Sequence, residues 1–280
     1  MRRSLLFIPA NRPGMMQNAE VFEADGIIFD LEDSVALNEK DAARTLLKHF
    51  LATFKFDFEV VIRINPIDHV NGLLDLETII SPAVDAIMLP KADPAMVRKL
   101  GELLEGFERA RGIRKTIKII PLIELAKSVL QMEEIAGLPR VDGMMLGAED
   151  LSSDMEMERT KTGNEIFYPR ARLAYIARAF GIDAIDTPFT DVLDEDGLCA
   201  DARRAKGLGL TGKAAIHPNQ IRYINEIFSP SKAQIEWALK VIAAAKEHSG
   251  AFSLDGKMID TPIIARCEKI LEKGRKWKLL

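Results

Sequence analysis

The sequence predicts an α/β protein, a (β/α)8 TIM barrel followed by a C-terminal helical extension. Eight short and nearly continuous apolar runs recur along the chain, and an amphipathic stretch follows most of them. Such runs are typical of parallel strands buried on both faces, and eight strand–helix units can close into a barrel. The length of 280 residues also suits a barrel, which needs about 250. The predicted strands cover residues 5–8, 26–31, 60–64, 86–89, 117–123, 143–146, 182–185 and 213–216.

Helical patterns fill most intervals between the runs. Asn38 is the predicted N-cap of a helix over residues 40–51. Asp93 is the predicted N-cap of a helix over residues 94–110, which begins with Pro94. Two further helices, over residues 126–135 and 167–180, are each followed by a glycine that favours helix termination.

The chain changes character after residue 228. Ser229-Pro230-Ser231 predicts a linker, residues 232–247 a helix, residues 253–260 a glycine-containing loop and residues 262–273 a last helix. The barrel is complete before this segment begins, so the segment must pack outside it. We therefore divide the chain into a barrel domain, 1–228, and a C-terminal helical segment, 229–280.

Composition and charge exclude several classes of function. A net charge of -4 gives no electrostatic basis for binding nucleic acid or an anionic membrane surface. No apolar run approaches the roughly 18 residues of a membrane span, and the first apolar run is too short for a signal peptide. Cys199 and Cys267 stand alone, which favours a reducing compartment. We therefore expect a cytoplasmic protein without a nucleic-acid or membrane partner.

Polar and charged residues follow the apolar runs at the points where the strands end. In a parallel barrel these ends form the rim that carries the active site, and charges gathered there are costly unless they pair or bind a ligand. The opposite ends of the strands are expected to carry little charge. The rim residues in strand order are Pro9, Asn11, Arg12, Asp30, Glu32, Asp33, Arg63, Asn65, Lys91, Glu124, Glu149, Asp150, Asp186, Thr187 and His217.

Glu124 and Asp150 form the best candidate metal pair. They end adjacent predicted strands, and two carboxylates without His or Cys suit Mg²⁺, with Mn²⁺ as the alternative ion. An ion held in this way keeps positions open for substrate oxygens. The alternative is that both carboxylates pair with Arg63 and Lys91 in a buried network.

Three basic rim residues each have a functional and a structural interpretation. Arg63 lies in an otherwise apolar strand, so its planar fork either binds a substrate carboxylate or enolate oxygen or pairs with Glu32 or Asp33. Lys91 could form a Schiff base, although a lysine that pairs with nearby carboxylates is commoner. His217 could act as a base, although a hydrogen-bonded structural histidine is commoner.

The glycine-rich segment at residues 207–212 matches the pattern G-x-G-x-x-G but precedes a predicted strand. A dinucleotide-binding loop would follow a strand instead. We interpret the segment as a tight turn between a helix and the last strand.

Several motifs occur in one order along the chain and together resemble a known family. They are SLLFIPANRP, FDLEDSV followed by Lys40 and Ala42-Ala43-Arg44, VIRIN, LPK, LIE, LGAED, GKAAIHPNQI and DGKMID. This series resembles the HpcH/HpaI aldolase and citrate lyase beta subunit family from residue 3 to about residue 265. The family commonly has glycine where this chain has Ala10, which bears on how closely a CoA phosphate can approach there.

The resemblance implies a Mg²⁺-dependent carbon–carbon lyase that cleaves a 3-hydroxyacyl thioester to an acyl thioester and a keto acid, with CoA as part of the substrate. Each implied role follows from a matching position. Glu124 and Asp150 match the metal ligands, and Arg63, Glu124 and Lys91 are the substrate-binding candidates. Pro9, Asn11 and Arg12 match the loop that meets the thioester carrier, and Glu32 and Asp33 match acidic residues beside the site. Asp260 matches an acid/base that a neighbouring subunit of a trimer or dimer of trimers donates.

The specific reaction stays open at this point. One interpretation is a stand-alone lyase for malyl-, methylmalyl- or citramalyl-CoA, which residues 216–220 (IHPNQ) favour. A second is the beta subunit of a citrate lyase complex, with an acyl carrier protein as partner. The others are a metal-dependent aldolase that releases pyruvate from a free hydroxy-keto acid, and an inactive barrel that serves as an assembly partner.

Overall fold

A computed structural model of the chain, which describes residues 1–248 and 250–280, confirms the predicted barrel. Eight parallel strands pair in sequence order, and β1 also pairs with β8, so the sheet is closed. Every predicted strand lies within two residues of an observed one. The strands are β1 (Ser4–Pro9), β2 (Gly26–Asp30), β3 (Glu59–Arg63), β4 (Ala86–Leu89), β5 (Lys118–Ile123), β6 (Gly143–Leu146), β7 (Asp183–Asp186) and β8 (Gly212–Ala215).

The barrel interior is packed with apolar side chains. One buried cluster takes at least one residue from each of the eight strands, from Leu5 on β1 to Ala214 on β8. Phe7 is only partly buried against this cluster. Since the interior is filled, a small-molecule site can form only at an end of the barrel.

Helices alternate with the strands as predicted. Asp93 caps its helix through the Met96 amide, as the sequence predicts. Asn38 is not a cap, because a 3-10 turn over Leu37–Glu39 leads into the helix and Glu39 takes the cap position. The first ten helices are α1 (Pro13–Gln17), α2 (Lys40–Thr53), α3 (Val70–Ile79), α4 (Pro94–Arg111), α5 (Ala126–Leu130), α6 (Met132–Ala136), α7 (Ala148–Asp154), α8 (Phe167–Phe180), α9 (Glu195–Leu208) and α10 (Ile221–Phe228).

Two of the connections between strands, at residues 126–135 and 207–212, were predicted in detail from the sequence. The single helix predicted over residues 126–135 is interrupted at Gln131, which separates α5 from α6. The glycine-rich segment is the predicted turn: Gly209 ends α9 in the left-handed conformation, with φ of 101°, and β8 starts at Gly212. Among the described residues, no helix combines the length and apolarity needed to cross a membrane.

The lower end of the barrel, at the strand N-termini, carries more charge than predicted. Arg2 is 5% exposed and its guanidinium binds carboxylates that begin or precede three different strands. The distances are 2.5 Å to Glu59, 3.0 Å to Asp142 and 2.9 Å to Asp183. The expectation of a weakly charged lower end was wrong, because the N-terminal arginine neutralises these carboxylates and ties the strands together.

The chain divides into two compact units, Met1–Ile224 and Asn225–Leu280. The second unit contains α11 (Lys232–Ala245), β9 (Phe252–Leu254), β10 (Lys257–Ile259) and α12 (Thr261–Lys276). The predicted loop over residues 253–260 was wrong, since β9 and β10 form an antiparallel hairpin. Ile235, Val241, Ile259 and other apolar side chains form a separate core in this unit.

Candidate active site at the upper rim

The C-terminal ends of the strands surround a cavity of about 460 Å³. Five of the residues predicted for the site line this cavity: Pro9, Asp33, Arg63, Glu124 and Asp150. Phe7, Leu122 and Met145 form an apolar floor beneath them. The arrangement of a few charged groups above an apolar floor is typical of a small-molecule site.

Arg63 is fixed by carboxylates at the end of β2 and in the loop that follows it. Its Nε and Nη2 atoms donate to the two oxygens of Asp30, both at 2.7 Å, and Nη1 lies 3.1 Å from Glu32 and 3.3 Å from Asp33. The guanidinium also stacks over the Phe7 ring at 5.0 Å. Burial alone would lower the pKa of Arg63, but its bonds to Asp30 and the neighbouring negative charges raise it, so the group stays cationic. The structural interpretation of Arg63 is therefore correct for Glu32 and Asp33, and Asp30 is its principal partner.

Sequence reasoning placed Asp30 on the rim but did not assign it to the site. Asp30 and Arg63 end neighbouring strands and are direct register partners. Asp30 is 1% exposed and also accepts hydrogen bonds from the amides of Glu32 and Ser34. The adjacent strand ends were the available signal, since a buried aspartate at such a position needs a cationic partner.

Glu124 directly follows β5 and is 1% exposed. Its Oε1 accepts a 2.6 Å hydrogen bond from the backbone amide of Lys91. Burial raises the pKa of Glu124 to about 8, and the nearby negative charges of Glu32 and Asp150 contribute to the rise. A cation bound at this carboxylate would offset both effects.

Asp150 lies in the first turn of α7, directly after β6, and its side chain is exposed at the cavity. Thr187, at the end of β7, accepts a 3.2 Å hydrogen bond from the Ala148 amide and so holds the start of α7. Thr187 in turn lines the same cavity. A buried lysine, Lys213, donates to the Thr187 carbonyl at 2.7 Å and fixes this turn from below.

The donor set at Glu124 and Asp150 fits a hard divalent cation. Mg²⁺ is commonly held by one or two protein carboxylates together with water and substrate oxygens. In the part of the chain that the structure describes, no three His, Cys, Asp or Glu side chains gather as a metal-binding group, so a closed cage of the zinc type is absent from it. The residues present fit a Mg²⁺ ion that retains open positions.

Glu32 is 7% exposed and lies beside Arg63. Its Oε2 lies 3.1 Å from Nη1 of Arg63 as an ion pair but accepts no hydrogen bond from a described residue. Burial raises the pKa of Glu32 to about 7. A carboxylate with a spare oxygen and such a pKa can take up a proton near neutral pH.

Buried polar groups fix the backbone of the acidic loop, residues 31–36 after β2. The Lys40 ammonium donates to the carbonyls of Leu31 and Glu32, at 2.8 and 2.6 Å. Asn65 donates to the Leu31 carbonyl at 2.9 Å and to Asp75 at 2.7 Å. The conformation of the loop, and hence the contacts of Glu32 and Asp33 with Arg63, depends on these bonds.

Lys91 and Glu32 line a second cavity of about 770 Å³, and Asp33 lines both cavities. The Lys91 side chain is exposed and lies in no ion pair of 4 Å or less with a described residue, although its charge acts on Glu32. The alternative in which Lys91 pairs directly with nearby carboxylates is therefore not observed, and its predicted role in substrate binding stays a prediction. His217 uses Nδ1 to accept a hydrogen bond from the Asn219 amide at 3.2 Å and caps the following turn. That contact agrees with the structural interpretation of His217.

Of the three residues predicted to meet the thioester carrier, Pro9 ends β1, and Asn11 and Arg12 follow it. Pro9 lines the first cavity, whereas Asn11 donates to Glu39 at 2.6 Å. The Asn11 Oδ1 atom is buried and has no partner among the described residues. Arg12 is exposed at the start of α1 and lines neither of the two cavities.

Asp260 belongs to the second compact unit, where it is the N-cap of α12. Its Oδ1 accepts a 3.2 Å hydrogen bond from the Ile263 amide. The side chain therefore has a structural role within its own unit, which any functional test must separate from proton transfer.

Fold and site together define a class: a (β/α)8 barrel whose upper rim holds two carboxylates, Glu124 and Asp150, and an arginine around a cavity with an apolar floor. Comparison with known proteins places the chain within this class. Residues 3–218 match the family HpcH/HpaI aldolase/citrate lyase, and the chain belongs to this family. The predicted family is thereby confirmed.

Individual relatives span nearly the whole chain. The chain is 37% identical to the citrate lyase subunit beta of Haemophilus influenzae, over 98% of this chain and 97% of that protein. It is 33% identical to the mitochondrial citramalyl-CoA lyase of Mus musculus, over 96% and 85%. The crystal structure of CitE from Mycobacterium tuberculosis in complex with magnesium, acetoacetate and coenzyme A superposes with a TM-score of 0.79 at 33% identity, over 96% and 97%. The predicted enzyme class, a carbon–carbon lyase, is confirmed at the level of the family.

Proposed function

We propose that this protein is a Mg²⁺-dependent lyase that cleaves the carbon–carbon bond of a 3-hydroxyacyl-CoA of the malyl, methylmalyl or citramalyl type. The observation that carries the proposal is the grouping of Glu124, Asp150 and Arg63 around one cavity with an apolar floor. The relatives support it, since they include a citramalyl-CoA lyase and a CitE protein with magnesium and coenzyme A bound.

Glu124 and Asp150 are the residues that would hold the ion. Mg²⁺ held there would supply Lewis-acid stabilisation of the negative charge that develops on a substrate oxygen. The rest of the chemistry falls to the side chains of the chain itself.

Cleavage of the carbon–carbon bond takes one proton from the substrate hydroxyl and returns one proton to carbon. The substrate hydroxyl loses its proton, the bond between C2 and C3 breaks, and its electron pair passes to the thioester side as an enolate while C3 becomes the carbonyl of a keto acid. A proton added to C2 of the enolate then gives the acyl-CoA product. A group that removes a proton, a group that stabilises the enolate oxygen and a group that returns a proton are therefore required.

Arg63 is the proposed partner of the enolate oxygen. Nε and one hydrogen of Nη2 are engaged by Asp30, which leaves the second hydrogen of Nη2 available for the cavity. Three carboxylates hold the guanidinium, so little reorganisation is needed when negative charge develops. Glu32 or Asp33 is the proposed acceptor of the hydroxyl proton: Asp33 lines the site cavity, and the pKa of Glu32, raised by burial to about 7, suits proton uptake near neutral pH.

Asp260 is the proposed acid that protonates the enolate carbon, donated by a neighbouring subunit of a trimer or dimer of trimers. The proposal rests on the family resemblance of the DGKMID segment. Residues 229–280 would then form a cover for the site of that neighbour. Pro9, Asn11 and Arg12 remain the proposed contacts of CoA, on the basis of the family resemblance; Pro9 lines the site cavity. We propose the cytoplasm as the compartment, since Cys199 and Cys267 are not joined in a disulfide.

A second candidate is the beta subunit of a citrate lyase complex, which would act on a citryl group carried by an acyl carrier protein. It is favoured by the 37% identity to a citrate lyase subunit beta. The two candidates share the barrel and the ion and differ in the thioester carrier.

The test is an assay of the purified chain on malyl-, methylmalyl- and citramalyl-CoA after chelation, with and without added Mg²⁺. We expect Mg²⁺-dependent release of a keto acid from at least one free CoA thioester. Glu124→Gln keeps the shape of the side chain and should abolish turnover without unfolding the barrel. Activity only on a carrier-protein thioester would favour the citrate lyase candidate, and full activity of metal-stripped protein would refute both.

A further inference from the structure

Lys91 has a backbone conformation that is unfavourable for its residue type. It follows Pro90 at the end of β4 and has φ of 48°, in the left-handed region that glycine and asparagine tolerate best. Such strain persists where surrounding structure enforces it and is concentrated at functional sites. In this conformation the Lys91 amide donates its 2.6 Å hydrogen bond to Oε1 of Glu124.

Gly147 bounds the same carboxylate on its other side, at the end of β6. A Cβ atom at this position would lie 2.7 Å from both Cβ and Oε2 of Glu124, closer than real contacts allow. The φ of Gly147 is -100°, so the backbone itself would accept other residues. The space, rather than the conformation, requires glycine.

We propose that Lys91 and Gly147 are positioning residues that fix the rotamer of Glu124 through the backbone, so that this carboxylate is preorganised for a divalent cation. The inference rests on the proposed metal site and revises the role of Lys91. Its strained amide, rather than its exposed ammonium, serves the site. Outer contacts of this kind typically change metal affinity 10- to 100-fold when they are lost.

The test is a substitution series at Lys91 that varies tolerance of positive φ and always removes the ammonium. The variants are Lys91→Gly, Lys91→Asn, Lys91→Ala and Lys91→Val. We expect Mn²⁺ affinity to stay within about twofold of wild type for Gly and Asn and to fall by about tenfold for Val, with Ala between them, because β-branched residues avoid this conformation. Mn²⁺ binding is read from the electron paramagnetic resonance signal of the free ion, without substrate.

Gly147→Ala gives an independent arm and should weaken Mn²⁺ by about tenfold or more. Gly106→Ala on α4 is the matched control, since no atom lies within 4 Å of the added Cβ. Thermal unfolding without metal identifies any variant that fails to fold. An equal loss in all four Lys91 variants would assign the role to the ammonium and overturn the proposal, as would wild-type affinity in Lys91→Val.

The outcome for the proposed metal site is read separately. If wild type binds no Mn²⁺, or if Glu124→Gln binds it as well as wild type does, the metal site itself is refuted. If wild type binds Mn²⁺ and Glu124→Gln does not, a flat Lys91 series refutes the positioning role alone.

Discussion

Replacement of Arg63 by lysine tests both its structural pairing and its proposed catalytic role. Arg63→Lys keeps the charge but loses the planar fork that binds Asp30 through two hydrogen bonds of 2.7 Å. A lysine ammonium can replace about one of these bonds. Since a hydrogen bond to a charged group contributes about 1.5–3 kcal/mol, we expect the free energy of unfolding to fall by about 2 kcal/mol.

The effect on catalysis should be larger and should lie in kcat. Loss of one donor to a developing oxyanion lowers kcat by about 10²–10³-fold, equivalent to about 3 kcal/mol. Urea denaturation without substrate measures the first effect, and steady-state kinetics of the folded variant measure the second. Asp30→Asn is the control, because it weakens the two hydrogen bonds that Arg63 donates to residue 30 but leaves the guanidinium in place. An unchanged kcat with a raised KM in Arg63→Lys would make Arg63 a residue of substrate binding alone.

Three further predictions concern stability and assembly. Burial alone would raise the pKa of Glu108, but the hydrogen bonds from Arg140 and the Ile117 amide outweigh it and lower that pKa. The stabilisation is therefore complete above the unfolded pKa of about 4.3 and is lost as the pH falls through the lower folded value. Glu108→Gln should unfold more easily than wild type at pH 7, with a difference that shrinks below about pH 4 in urea titrations; a constant difference would contradict this. Asp93→Ala removes the N-cap of α4 and should cost about 1 kcal/mol of stability by thermal unfolding, whereas an unchanged Tm would mean that the cap contributes nothing. For the shared site, the Glu124→Ala and Asp260→Asn proteins should each be inactive; Asp260→Asn keeps a side chain that can cap α12. An equal mixture of the two should recover roughly a quarter of wild-type activity after dissociation and random reassembly. No recovery in confirmed mixed oligomers would mean that Asp260 serves its own barrel.

The sequence alone predicted the barrel because eight strands buried on both faces leave a local signal. Each reads as a short apolar run, and two of the eight predicted strands, at residues 86–89 and 143–146, match the observed bounds. The rim position of Glu124, Asp150 and Arg63 also followed from the sequence, since parallel strands place the residues after every run at one end of the barrel.

The pairings within the rim were decided only by tertiary structure. Asp30 accepts two hydrogen bonds from Arg63 because β2 and β3 are neighbours in a specific register. No local sequence pattern indicates which of the three nearby carboxylates binds the guanidinium most closely. The hairpin in the second unit was missed because strands of three residues are too short to show alternation.

Backbone geometry at the rim was the feature that the sequence predicted least well. Lys91 looked like a side chain available for chemistry, whereas in the structure its amide meets Glu124 from a strained conformation. The close approach of Gly147 to the same carboxylate is equally a product of packing between strand ends. Sequence records which residues reach the rim, but the register of the closed sheet determines which atoms meet there, because neighbours on adjacent strands are far apart along the chain.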